Sequence, residues 1–113
     1  MPLSSVLILI TAALAAAGGQ ILFKIGAEGR VGWTEFLNGY ILLGAVLYFA
    51  GAVLWIYALS FEKLVNVYAF TALTFVLVLV GAVLGLGEKL SGPGLVGIAL
   101  VLGGLYLLTS YNA

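Results

Sequence analysis

The chain contains no cysteine and no histidine. These two absences exclude disulfides, thiolate nucleophiles, imidazole general bases and the usual zinc ligands. Charge is almost as scarce: four Lys/Arg and four Asp/Glu make up 7% of the 113 residues and cancel. A balanced charge offers no long-range field to draw in nucleic acid or an acidic partner. No Asp or Glu falls inside an apolar run. Glu28, Glu35, Glu62 and Glu88 all lie in polar interruptions or at the ends of such runs. A proton-coupled exporter typically needs an intramembrane carboxylate whose pKa burial can raise. No obligatory proton coupling through this chain alone is therefore expected.

What remains is hydrocarbon. Hydrophobic residues are 65% of the sequence, and the mean hydropathy is +1.31. So few charges cannot cover that much apolar surface in water. In lipid every backbone amide must be bonded internally, so the expected class is an all-α membrane protein. A span takes about 20 residues, and the runs predict transmembrane helices at 3–23, 36–60, 65–86 and 95–110 in a single domain. The first run imitates a secretory signal through its alanines. No Lys or Arg precedes its apolar core and it is long enough to span, so it reads as a retained helix. Gly26, Gly29 and Gly32 are expected to break the chain after Lys24. Phe61-Glu62-Lys63 makes a second, tight connection, and Gly87–Gly94 a third, containing Pro93. Lys24, Arg30 and Lys89 against Lys63 favour cytoplasmic first and third loops in the cell's inner membrane, by a small margin that leaves both insertions open.

Small and polar residues mark the faces that matter. Sixteen glycines are many for this length, and in lipid small residues let helix backbones approach. Gly81 and Gly85 form a GxxxG. Gly97 and Gly104, seven apart on one stripe, suit either packing within one bundle or a dimer seam. Tyr40, Gly44, Tyr48, Gly51 and Trp55 fall within an arc of about 80°. That face is either a groove floored by glycine and walled by aromatics, or a packing face with Tyr40 and Trp55 as interfacial belt residues. Tyr48 lies mid-span, where a belt does not account for it, and a buried phenol needs a partner. Tyr68, Thr71 and Phe75 share an arc of about 60°; Thr71 and Thr74 can also bond their own helix carbonyls and stay silent. On the first span Ala13, Ala16, Gln20 and Lys24 share a face. Lys24 at a helix end can simply anchor at the headgroups, whereas Gln20 is the only amide or ionisable group within that span and should face protein or a cavity.

Four spans in this length, with Gly87-Glu88-Lys89-Leu90 closing the third, resemble the drug/metabolite transporter (EamA-like) superfamily and, within it, the small multidrug resistance family. That family carries a glutamate eight positions before a lysine; counted back from Lys24, this chain has Ala16. A closer resemblance is to the four-helix flippase subunits for aminoarabinose linked to undecaprenyl phosphate. It is carried by Gly19-Gln20 with Lys24, Val53-Leu54-Trp55 thirteen residues before Tyr68, Phe75-Val76, Glu88 and Gly97 with Gly103-Gly104. Glu62-Lys63 departs from it, since those subunits are less charged there. The resemblance implies a dimer, homodimeric or with a paralogue, with substrate between protomers. A flippase would move a polyprenyl-phosphate-linked sugar or related lipid. The expected substrate-binding residues are Gln20, Lys24, Tyr48, Trp55, Tyr68 and Thr71, with Lys24 pairing the phosphate, the aromatics stacking on sugar, and the second-helix groove taking the tail. Gly97 and Gly104 are the expected dimer packing. The alternatives are a small multidrug resistance-like exporter of cations or small metabolites, and a non-transporting scaffold subunit. No enzyme is expected, because no nucleophile–base pair or metal cluster occurs, and no cofactor.

Overall fold

Each apolar run becomes one helix in the computed structural model, which describes residues 2–111. Among those residues the helices are α1 (Leu3–Ala27), α2 (Gly39–Leu59), α3 (Leu64–Gly85) and α4 (Gly92–Tyr111), with a 3-10 turn at Trp33–Phe36. All four are long and apolar enough to cross a membrane, as an integral multi-pass membrane protein requires.

The helix ends differ from the sequence expectation, for local reasons. α1 does not stop at Phe23. Gly26 stays inside the helix, and the chain turns only at Gly29, whose φ of 74° suits a residue without a Cβ. The carbonyl of Gly26 is satisfied from outside the helix, by Arg30 Nε at 3.1 Å and Asn38 Nδ2 at 2.9 Å. α2 starts at Gly39 rather than Phe36, because Asn38 caps it by accepting from the Ile41 amide at 3.1 Å. α4 starts three residues early, at Gly92. Ser91 Oγ accepts from the Gly94 amide at 3.2 Å, and Pro93 falls in the first turn, where its missing N–H costs nothing.

α1 is the centre of the bundle. α2 lies along its whole length, α3 packs on it more sparingly, and α2 and α3 scarcely touch. α4 leans on α3 and buries none of its residues. The α1–α2 seam is backbone on backbone. A Cβ on Gly19 would lie 2.7 Å from the Gly44 carbonyl oxygen, and one on Gly44 would lie 2.8 Å from that of Gly19. Further along, a Cβ on Gly51 would come within 2.9 Å of the Ala12 oxygen. Towards the second loop the seam gives way to an apolar core of Leu9, Ala58, Val67 and Phe70. Fully buried Ser5 closes that end by donating to the Glu62 carboxylate, which ties the start of α1 to the α2–α3 turn. Asn66, in the first turn of α3, is 6% exposed.

Candidate functional site

Because α2 and α3 both rest on α1 without closing on each other, a cavity of about 290 Å³ remains between the three helices. Ala12, Ala13 and Ala16 form its smooth floor. Gln20 stands at one end of that floor, Tyr48 and Trp55 rise from α2, and Tyr68, Thr71 and Thr74 from α3. The alanine strip on α1 is what makes room: larger side chains there would fill the space beneath the aromatics. Five of the six substrate-binding residues expected from the sequence thus line one cavity. Its wall offers an amide with two donors and an acceptor, two phenols, two hydroxyls and an indole N–H. It carries no formal charge among the described residues. Thr74 donates to the Phe70 carbonyl of its own helix at 3.3 Å, which leaves Thr71, exposed on the rim, as the freer hydroxyl.

Lys24 is the sixth, and it is not part of this wall. It sits one turn beyond Gln20, 51% exposed, with Nζ 3.9 Å from Glu28 Oε1. An exposed pair of that kind is worth at most about 1 kcal/mol, so an anionic ligand competes with Glu28 on easy terms.

The expected groove along α2 is only partly there, since Tyr48, Gly51 and Trp55 line the cavity while Tyr40 and Gly44 do not. Gly44 and Gly51 are buried beneath α1, Tyr40 is half exposed and not part of the cavity wall, and Tyr48 tilts against Phe23 with ring centroids 6.0 Å apart. The α2 glycines admit the neighbouring helix, and only the Tyr48–Trp55 part of that face meets open space. Gly81 likewise receives the tip of Ile21, whereas Gly85 meets nothing within 4 Å among the described residues. Phe70 and Ala52 line the cavity without having been expected there. Helical periodicity on α3 pointed to the Tyr68–Phe75 arc, and only knowledge of which face meets α1 would have added Phe70.

A second, almost wholly apolar groove of about 700 Å³ runs between α3 and α4, lined by Leu64, Ala72, Phe75, Val101 and Leu108 among others. Val101 and Leu108 share an arc of about 60° with Gly97 and Gly104. Outside its own stretch of helix, neither glycine has an atom within 4 Å of where a Cβ would lie, among the described residues.

Beyond the end of α1 the first loop is built around Glu35. Its Oε2 accepts from the amides of Gly32 at 2.8 Å and Val31 at 2.9 Å. These two backbone donors, with a smaller contribution from Arg30, hold its carboxyl below the ordinary glutamate value. A carboxyl whose folded pKa is depressed stabilises the loop at pH above its free value, and that contribution is lost as pH falls through the folded value. Emission from Trp33, in the same 3-10 turn, is therefore expected to shift on acidification below the ordinary glutamate range. Glu35→Gln should remove the acid-dependent step; a step that persists in that variant would assign the titration elsewhere.

No three His, Cys, Asp or Glu side chains come together as metal ligands among the described residues. Compared with family models, curated proteins and solved structures, the chain shows no significant match.

Proposed function

We propose that the chain is a membrane transporter of the flippase kind, moving a polyprenyl-phosphate-linked sugar or related lipid across the inner membrane. The observation that carries this reading is the uncharged, hydrogen-bonding cavity at membrane depth, with Gln20, Tyr48, Trp55, Tyr68 and Thr71 converging on it from three helices. Such a wall suits a sugar, which needs hydrogen bonds and aromatic faces but no counter-charge. The lipid tail leaves sideways through the gap between α2 and α3, in place of the α2 groove that α1 closes in part. Lys24 waits one turn beyond to exchange Glu28 for phosphate.

A cavity of this size falls at the lower limit of roughly 300 Å³ for ligand pockets, so a second protomer, identical or paralogous, is needed to complete it. We assign that contact to α4, where Val101 and Leu108, on one stripe with Gly97 and Gly104, line the open α3–α4 groove that shares Tyr68 and Thr71 with the cavity. The aromatic wall also suits an organic cation, the substrate of a multidrug exporter, but no carboxylate faces it to balance the charge.

Liposomes carrying the protein and a fluorophore-labelled polyprenyl-phosphate sugar decide between these. With a membrane-impermeant quencher outside, the protected fraction should become accessible faster than in protein-free liposomes. An unchanged rate, together with protein-dependent export of a quaternary ammonium dye, would replace the flippase with the exporter.

A further inference from the structure

Three features of the first loop stand apart from the transport cavity. Its apolar side chains point outward: Val31 is 90% exposed, Trp33 91% and Leu37 75%. Several of its backbone amides are satisfied internally. Those of Val31 and Gly32 donate to Glu35, that of Glu35 to the Gly32 oxygen at 3.1 Å, and that of Leu37 to the Thr34 oxygen at 3.2 Å. Finally, both of its ends are pinned. Asn38 Nδ2 donates to the oxygens of Gly26 and Glu35, each at 2.9 Å, while Asn38 Oδ1 caps α2. A loop wholly in water gains nothing by displaying a tryptophan, a valine and a leucine together, whereas one at the membrane boundary gains by turning them outward and by bonding part of its backbone itself. The pinning also keeps those side chains from folding back onto the bundle.

We infer that Val31, Trp33 and Leu37 form a preformed foot that lies in the headgroup–acyl boundary of the bilayer. It joins the end of α1 to the start of α2 without leaving the membrane surface. The occupant of this apolar surface is the lipid itself. The loop's place between two helices apolar enough to span puts it at the edge of the hydrocarbon, where an amphipathic indole is most at home. Arg30 supports the placement. Its Nε donates to the Gly26 oxygen at 3.1 Å, so a lipid phosphate would be met by the outer guanidinium nitrogens.

Trp33 and Trp55 are the only tryptophans, so Trp55→Phe leaves Trp33 as a single reporter. In phosphatidylcholine vesicles its emission should be blue-shifted from that of a water-exposed indole. It should be quenched by lipids brominated near the top of the acyl chain and shielded from acrylamide. Full acrylamide quenching with no effect of brominated lipid would put the loop in water and overturn the inference. Protection from both quenchers would also overturn it, by giving the surface to a second copy or another protein. Should Trp55→Phe fail to insert, Trp33→Cys carrying a nitroxide reports the same depth from its accessibility to oxygen against a water-soluble nickel complex, because the chain has no other cysteine.

Discussion

Gly44→Leu is expected to cost the protomer on the order of 3 kcal/mol or more, enough to part α1 from α2. The neighbour of the new Cβ would be the Gly19 carbonyl oxygen at 2.8 Å, part of a helix backbone that no rotamer change can move. In lipid the loss has no hydrophobic offset, because a separated helix face is wetted by acyl chains as apolar as itself, and helix association rests on close packing. Gly19→Leu should do the same from the other side, where the Gly44 oxygen lies 2.7 Å from a built Cβ. Gly97→Leu and Gly104→Leu provide the contrast, since a methyl at either position meets nothing within 4 Å among the described residues. They should leave the stability of the bundle unchanged and, under the proposed dimer contact, alter only self-association. Unfolding by sodium dodecyl sulfate, followed by circular dichroism, reads the first effect; crosslinking in liposomes reads the second. Wild-type unfolding of Gly44→Leu would show that the seam is not what joins the two helices.

Gln20→Leu should lower transport roughly tenfold to hundredfold while leaving the fold intact. Leucine has nearly the shape of glutamine, and Gln20 is half buried at the end of the alanine floor, so the change opens little empty space. What it removes is the one amide in the cavity, whose hydrogen bonds to a bound head are worth about 1–3 kcal/mol when the partner is left unsatisfied. Lys24→Gln should act differently. It should weaken binding of phosphate-bearing substrates with little effect on the rate at saturation, since the lysine lies outside the cavity wall. Under the scaffold reading Gln20→Leu would be silent. Transport at the wild-type rate in that variant, with the protein correctly inserted, would remove the cavity from the mechanism.

The helices and the cavity were legible in the sequence to different degrees. Four apolar runs separated by charge and glycine place four helices, because in lipid the backbone has no alternative partner. Their ends were less legible, because Gly26, Ser91 and Asn38 act through contacts that a linear reading does not contain. Gly-Pro-Gly at 92–94 looks like a breaker until Ser91 is seen to cap it. Of the expected binding residues, Gln20 stood out because an amide is rare in hydrocarbon, and Tyr48 because a phenol is rare at mid-span. Both pointed to protein or a cavity rather than lipid, without reference to neighbours. Glycine was the ambiguous letter. On α2 it admits α1, and on α4 it borders open space, yet the two stripes look alike on a helical wheel. Which helix lies opposite is a property of the bundle, and no single span encodes it.

The uneven packing around α1 has a mechanical consequence. The α1–α2 pair, joined backbone to backbone and locked by Asn38, behaves as one stiff blade. α3, on which α4 leans only loosely, makes the other. Near the second loop the blades are riveted by Leu9, Val67 and Phe70 and by the Ser5–Glu62 bond, whereas towards the first loop their contact thins to side chains such as Ile21 against Gly81. Strain applied across the molecule therefore concentrates at the open end. The end of the cavity towards the first loop is thus the more weakly held of the two.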